Sequence, residues 1–205
     1  MSTQTPQDQY VQVGEIKTRF WALGDEGTTV IMIHGISGSV ENWLLKQYST
    51  FQFFTERDIV WTVQTHLIKE IRNRNLPLKL FDNYRVPSKI LIDLVILEER
   101  TDAILVAAEF KYEPDHSRVD ITPGKLNPSK AFWDSEKNHG VVQDIERIKE
   151  IVNQGYSKTG YTTFIDEGGH HRYQGEPDGC IWCEEGKSPY SDKTLYALLF
   201  KFTNI

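Results

Sequence analysis

The sequence predicts an α/β protein in which a mixed central β-sheet is flanked by α-helices. Two apolar segments of strand length, 90–97 and 103–111, follow each other across a short polar turn. Two other segments, 56–72 and 141–152, carry apolar residues at helical spacing. Short apolar runs are typical of buried strands, whereas a helical period is typical of a helix that covers one face of a core. We therefore expect a layered domain, preceded by a short β-rich appendage.

Length and composition place few limits on function. The chain has 205 residues, of which 39% are hydrophobic and 25% charged, and its formal net charge is −6. These values suit one well-packed domain with an appendage. A protein that binds nucleic acid through a broad basic surface would be more basic. The negative net charge is still compatible with an enzyme that holds a cation with carboxylates and gathers its basic residues in one groove.

The sequence predicts a cytoplasmic protein with no membrane partner. The longest apolar stretch, 90–97, is interrupted by Asp93 and is too short to cross a bilayer. The N-terminal residues are polar and lack the basic-then-apolar pattern of a signal peptide. Cys180 and Cys183 are too few for a disulfide framework.

The pattern of the sequence changes near Lys46, and we divide the chain there into segments 1–45 and 46–205. Thr55 is a suitable N-cap for the helix 56–72, with Asp58 three positions later. The other predicted elements are strands at 10–13, 18–23 and 28–33, a helix that starts within 39–45, an extended segment at 78–86, a strand at 160–166, a glycine-rich loop at 168–187 and a final strand at 195–202.

Charged residues interrupt both apolar strands of the central hairpin. Asp93 lies within a run of seven aliphatic residues, where an unpaired charge is costly and must be neutralised, hydrogen-bonded or bound to a cation. Glu109 and Lys111 are two residues apart on the next strand, so their side chains leave the same face. If the two strands pair in matching register, all three side chains converge.

These three residues have two interpretations. Two carboxylates can hold Mg²⁺, which favours oxygen ligands, and Lys111 can orient or deprotonate an attacking water and balance charge on a phosphoryl oxygen. Those are the requirements for hydrolysing a phosphodiester. The alternative is a buried ion pair of Lys111 with Glu109 or Asp93 in a core strand. Spacing alone does not decide between them.

The order of the elements resembles a known superfamily. A helix with an acidic start, a strand containing IDLV and a strand ending in EFK follow one another, as in the PD-(D/E)xK superfamily and most of all in archaeal-type Holliday junction resolvases and restriction-endonuclease-like proteins. The resemblance covers about 46–205 and implies a restriction-endonuclease-like core. It also implies that Asp93 and Glu109 bind Mg²⁺ or Mn²⁺ and that they and Lys111 are catalytic. The family's proline before the aspartate is Ile92 here.

Two more residues enter by the same resemblance. The segment 56–60, ERDIV, matches the start of the family's first helix, which implies that Glu56 is a further catalytic glutamate. The alternative is that Glu56 only stabilises the helix dipole from the first turn. Gln143 is the candidate for the glutamine that many members carry on the following helix.

The segment 1–45 resembles the truncated beginning of an α/β-hydrolase. Two strands lead into a third, which ends at His34-Gly35. An acyl-transfer enzyme of that fold needs a nucleophile elbow, an acid and a later histidine. The segment 35–39, GISGS, is not an elbow, because its fifth residue is serine. We therefore expect no hydrolase activity of this kind.

Two other groups of residues could bind ligands. His170, His171, Cys180 and Cys183 could hold structural zinc, although a loop with reduced cysteines and solvent-facing histidines is the interpretation we prefer. The second group mixes basic and aromatic side chains that could follow a phosphate backbone, with scattered surface charge as the simpler interpretation. It consists of Lys125, Lys130, Phe132, Trp133, Lys137 and Lys158.

Together these features predict a metal-dependent nuclease that hydrolyses phosphodiester bonds in nucleic acid, with DNA as the expected partner. A homodimer would be compatible with this function. The first alternative is a non-catalytic member of the same fold that binds DNA or protein. The second is an inactive remnant of an α/β-hydrolase, against which the missing nucleophile argues.

Overall fold

A computed structural model describes residues 9–13, 16–20, 53, 55–116, 118, 133–134, 140–188 and 192–203. The chain divides into two compact units, Met1–Trp43 and Leu44–Ile205. This division lies two residues before the end of the predicted segment 1–45. The units are described separately below.

In the first unit, two short strands pair with each other. β1 (Gln9–Val13) and β2 (Ile16–Phe20) form an antiparallel ladder in which Gln9 lies opposite Phe20. β2 begins two residues before the predicted segment 18–23. The strand expected at 28–33 and the helix expected within 39–45 lie outside the described residues.

In the second unit, each predicted helix and strand is present, with one strand in addition. Among the described residues, no helix is both long and apolar enough to cross a membrane. The elements are α1 (Glu56–Asn73), β3 (Leu78–Arg85), β4 (Leu91–Glu98), β5 (Ile104–Glu113), α2 (Val141–Asn153), β6 (Ser157–Glu167), a 3₁₀ turn (Arg172–Gln174), β7 (Cys180–Lys187) and β8 (Thr194–Thr203).

The six strands of this unit form one mixed sheet in the order β3-β4-β5-β6-β8-β7. β4 is antiparallel to both of its neighbours, β3 and β5. β5 and β6 are parallel, and β8 is antiparallel to both of its neighbours. A parallel pair needs a crossover connection, and α2 belongs to the crossover between β5 and β6. The prediction of an α/β class with a mixed sheet is therefore confirmed.

β7 corrects the expectation of a loop over 168–187. The local sequence contains several glycines, and Gly175 and Gly179 have positive φ in the turns before β7. The strand itself is stabilised by its ladder with β8, in which Cys180 lies opposite Phe200. Because that pairing joins segments distant in sequence, local composition did not predict it.

The helices cover the sheet with buried apolar side chains. α1 contacts β3, β4 and β5, whereas α2 contacts β5, β6 and β8. Most of the predicted apolar stripe of α2 is confirmed, because four of its six members lie in one buried cluster with strand residues, whereas Val142 is only half-buried. That cluster includes Val95, Leu97, Ala107, Val141, Ile145, Ile148, Ile151 and Phe164. Alternate strand residues such as Leu94 and Ala108 are buried outside this cluster, which puts α1 on the opposite face of the sheet.

Gly160 allows α2 to lie close to β6. A Cβ atom at this position would lie 2.3 Å from Cγ2 of Ile148 and 3.1 Å from Cγ2 of Val152. Both helix residues are fully buried, and a close-packed core leaves them little room to move away. The missing side chain at Gly160 therefore sets the distance between helix and sheet.

We expect Gly160→Ala to lower the free energy of unfolding by about 1–3 kcal/mol, because the added methyl overpacks the core. Ile148→Ala alone should cost about 2–5 kcal/mol through the cavity it leaves. The double variant should lose less stability than the sum of the two single-variant losses, because the shortened side chain at 148 makes room for the methyl. Urea denaturation measures all three variants.

The control for this cycle is Thr159→Ala, a change at the neighbouring, partly exposed position of β6. It should alter the free energy of unfolding by less than about 0.5 kcal/mol. A Gly160→Ala variant as stable as the wild type would contradict the close approach described above.

Candidate active site

The hairpin of β4 and β5 brings the two predicted metal-binding carboxylates together. Leu94 lies opposite Ala108 in the antiparallel ladder, and the same register places Asp93 beside Glu109. The two carboxyl groups are close enough for the charge of Asp93 to raise the pKa of Glu109. Oδ2 of Asp93 also accepts a hydrogen bond of 2.8 Å from the backbone N–H of Phe110, which holds it against β5. The matching register expected from the sequence is therefore present.

Lys111 and Glu56 complete the predicted group. Lys111 follows Glu109 by two residues on β5, so both side chains leave the same face. Its Nζ atom lies 3.1 Å from Oε2 of Glu56, in the first turn of α1. The start of α1 is fixed by Thr55, whose backbone N–H donates to Oδ2 of Asp58 at 2.8 Å, as the predicted capping arrangement requires.

Two residues of α2 join the same group, and sequence reasoning missed both. Oδ2 of the fully buried Asp144 lies 2.9 Å from Nζ of Lys111. Arg147 forms an ion pair with Asp144 through Nη2, and its Nε lies 3.7 Å from Oε1 of Glu109. Ion pairs thus run continuously from Glu56 through Lys111, Asp144 and Arg147 to Glu109.

A sequence signal for Asp144 did exist. It lies three residues after Val141 and four before Ile148, within the apolar stripe of α2. A carboxylate inside an apolar helix stripe raises the same question as Asp93 inside an apolar strand. Periodicity identified the stripe, but attention to its apolar members left this charged member unexamined.

Gln143 does not join the group, which corrects its proposed place in the site. Its side chain hydrogen-bonds to Asp134. Successive side chains of an α-helix point about 100° apart, so Gln143 and Asp144 reach different partners. The residue of α2 that reaches Lys111 is Asp144.

Burial and crowding control the protonation of the carboxylates. The side chain of Glu109 is 3% exposed, and its separation from water raises its pKa well above the ordinary value. The charge of Asp93 raises that pKa further, whereas Arg147 and Lys111 oppose the shift. Burial also raises the pKa of Glu56, and Lys111 opposes that shift. Glu109 therefore tends to keep its proton beside Asp93.

The acidic pair has the donor chemistry that a hard cation needs. Among the described residues, no group of three or more His, Cys, Asp or Glu side chains is arranged to hold a metal ion. Asp93 and Glu109 nevertheless offer adjacent carboxylate oxygens, and buried Oε1 of Glu109 accepts no hydrogen bond from the described part of the chain. Mg²⁺ commonly uses only one or two carboxylates and keeps several waters. The pair therefore fits such an ion.

The four candidate zinc ligands are not brought together. Cys180 and Cys183 are three residues apart on β7, so their side chains leave opposite faces of the sheet. Burial raises the pKa of the Cys180 thiol to about 11, which favours the protonated form over the thiolate that binds metal. His170 and His171 stack on other aromatic rings. The described residues therefore do not form the zinc site considered from the sequence.

The basic and aromatic group is only partly described. Lys125, Lys130, Phe132 and Lys137 lie outside the described residues. Lys158 lies near the start of β6, four residues before Thr162, which is the register partner of Glu109. That spacing corresponds to about 13 Å along the strand. Trp133 stacks on His171 and Trp182, so it takes part in an aromatic cluster.

We expect Glu109→Gln to stabilise the protein at alkaline pH when no divalent cation is present. The pKa of Glu109 is raised above its ordinary value of 4.5 in the folded state. The folded chain then retains a proton that the unfolded chain releases, so stability is full below about pH 4.5 and is lost as pH rises through the raised value. Glutamine mimics the protonated acid and removes this loss. Urea denaturation at about pH 5 and about pH 8 compares the two proteins.

Glu146→Gln makes the same chemical change on α2, at a side chain that is 65% exposed, and should leave the pH dependence of the wild type unaltered. A Glu109→Gln variant that is less stable than the wild type at about pH 8 would contradict the raised pKa.

Comparisons of the chain with family models, with curated proteins and with solved structures found no match. A functional assignment therefore depends on the geometry and the charges of Glu56, Asp93, Glu109 and Lys111, together with Asp144 and Arg147 on α2.

Proposed function

We propose that residues 46–205 form a restriction-endonuclease-like domain that hydrolyses phosphodiester bonds in nucleic acid, with DNA as the substrate and a divalent cation as cofactor. One observation carries the proposal. The register of β4 on β5 places Asp93 beside Glu109 in the sheet, and Lys111 lies on the same face of β5 as Glu109.

The order of elements supports the proposal. A helix, three antiparallel strands, a crossover that includes a second helix and a strand parallel to the third follow one another from α1 to β6. This order agrees with the resemblance to the PD-(D/E)xK superfamily that the sequence suggests. Glu56, to which the resemblance gives the role of a further catalytic glutamate, reaches Lys111 from the first turn of α1.

Charge balance supports a cation at the acidic pair. Within the group, the four carboxylates Glu56, Asp93, Glu109 and Asp144 outnumber the two cations Lys111 and Arg147. A buried excess of negative charge is costly and favours either retained protons or a bound cation. Asp93 and Glu109 would hold the cation, with Glu56 assisting. When bound, Mg²⁺ or Mn²⁺ would polarise the phosphoryl group and stabilise the charge that develops on its oxygens.

Lys111 is best suited to position water and to stabilise charge. Its ammonium lies 3.1 Å from Glu56 and 2.9 Å from Asp144. Two carboxylates at these distances hold the side-chain amine in one position. A protonated amine fixed by two partners can donate a hydrogen bond to the attacking water or to a phosphoryl oxygen without reorganising.

A second candidate is a non-catalytic module of the same fold that binds DNA or protein. The ion pairs of Lys111 and Arg147 with the surrounding carboxylates favour it, because they can satisfy buried charges without any cofactor. In this case the group would stabilise the domain, and its substitution would alter stability without altering any metal-dependent reaction.

Cleavage assays with labelled plasmid and branched DNA, with Mg²⁺ or Mn²⁺ added, separate the two candidates. We expect wild-type cleavage that requires the cation, and a loss of about 100- to 1,000-fold in Asp93→Asn and in Lys111→Ala, as for removal of a preorganised charged or hydrogen-bonding group. Lys79→Ala is the matched control, because Lys79 forms an exposed ion pair of 2.9 Å with Asp102, and it should leave the rate unchanged.

Absence of cleavage by the wild type on every substrate would exclude the nuclease. Cleavage that persists in Asp93→Asn and Lys111→Ala would exclude these residues as the catalytic group. Thermal unfolding of each variant distinguishes lost chemistry from lost folding.

A further inference from the structure

A cavity of about 330 Å³ opens beside the acidic group. The described part of its lining comes from the first turns of α1, the middle of β3, and Asp93 of β4. The volume lies at the lower end of the range for small-molecule sites, which is about 300–1,000 Å³. The proposed nuclease chemistry does not by itself assign this cavity.

Trp61 provides a large aromatic surface on the cavity wall. It lies on α1 five residues after Glu56, and 54% of it is exposed. Its neighbours in sequence, Val60 and Thr62, are buried. Single exposed apolar residues are common, but an exposed indole in a cavity beside a carboxylate site offers a face on which a planar ring can stack.

The part of the lining that comes from β3 contains an unusual backbone position. β3 pairs Asp82 with Leu94 and Tyr84 with Ile92, and between them Asn83 has a φ of 48°. Asparagine tolerates this left-handed conformation better than most residues, although it remains unfavourable within a strand. The irregularity lies across from Asp93 and lines the cavity. Non-glycine residues in such conformations occur often at ligand sites.

Polar groups at the wall can hydrogen-bond to a ligand edge. Nη2 of Arg57 and Nδ2 of Asn83 each lie 3.4 Å from Oδ2 of Asp82. An amide and a carboxylate together offer both donors and acceptors. The lining of the cavity therefore combines the stacking face of Trp61 on α1 with the hydrogen-bonding groups of Asp82 and Asn83 on β3.

The charge of the lining decides which part of a nucleotide can enter. Glu56, Asp58, Asp82 and Asp93 line the cavity against the single cation Arg57 among its described residues. Asp58 and Asp82, which take no part in the proposed cation site, would repel a phosphate, whereas a neutral base can stack on Trp61 and donate its N–H groups to their carboxylates. The phosphate that follows would then lie outside the cavity, towards the acidic pair. A base inside a continuous duplex is paired and stacked, and must leave the helix to enter.

We propose that this cavity binds one unpaired nucleotide, with its base stacked on Trp61, so that the preferred substrate is DNA with an unpaired base next to the scissile phosphate. The inference rests on the proposed nuclease function and specifies its substrate class. Single-stranded DNA and duplexes with a bulged or overhanging nucleotide then bind and react, whereas a blunt continuous duplex does so poorly.

The test uses the full chain and three DNAs of related sequence: a single strand, its blunt duplex, and that duplex with one bulged nucleotide. Cleavage rates are measured with Mg²⁺, and affinities by fluorescence anisotropy with Ca²⁺. Trp61→Leu keeps an apolar side chain but removes the stacking face, and Trp61→Phe restores one. Tyr173→Leu, at an aromatic residue that is 80% exposed and outside the cavity lining, is the matched control.

We expect the wild type to favour the single strand and the bulged duplex. Trp61→Leu should weaken their binding by about 5- to 150-fold, the loss of one base–aromatic stack, with little effect on the blunt duplex. Trp61→Phe should recover most of the affinity, and Tyr173→Leu should match the wild type.

The outcomes separate this inference from the nuclease proposal. Equal cleavage of all three DNAs, unaffected by Trp61→Leu, would overturn the subsite and leave the nuclease intact. Binding of the unpaired DNAs that depends on Trp61, without cleavage of any DNA, would retain the subsite and exclude the nuclease. Absence of binding to every DNA would overturn the subsite.

Discussion

The arrangement of the second unit depends on the contact between two carboxyl groups at the centre of its sheet. The register of β4 on β5 places the half-buried Asp93 beside the buried Glu109. Two such groups cannot both ionise without a nearby compensating charge. Lys111 and Arg147 supply that compensation, and Asp144 forms an ion pair with each of them. These residues come from the same strand and from the helix that crosses over the sheet.

This compensation is incomplete, so the group carries excess negative charge that a proton or a cation can neutralise. Glu109 retains a raised pKa although Arg147 and Lys111 oppose it. A fully balanced network would favour a structural role, because its charges would need no further partner. A group with excess carboxylate responds instead to protons and to cations. The same residues that limit stability at alkaline pH are therefore those expected to bind a divalent cation.

The charge of the cavity beside Asp93 also limits which ligand can bind there. Its walls are acidic, partly aromatic and contain a strand residue in a left-handed conformation. These features suit a flat, neutral group with hydrogen-bond donors better than they suit an anion. Asp93 lines this cavity and lies beside Glu109 in the sheet. A base in the cavity would therefore bring the adjoining phosphate towards the acidic pair.

The sequence by itself determined the helices 56–72 and 141–152, the central hairpin, and the alternation that places Glu109 and Lys111 on one face. These features follow from local periodicity, which the backbone geometry of helices and strands imposes. Only the tertiary structure decided that β7 is a strand, that Asp144 and not Gln143 reaches Lys111, and that the candidate zinc ligands stay apart. Each of these depends on which distant segments pair or pack, and a local pattern does not specify its partner.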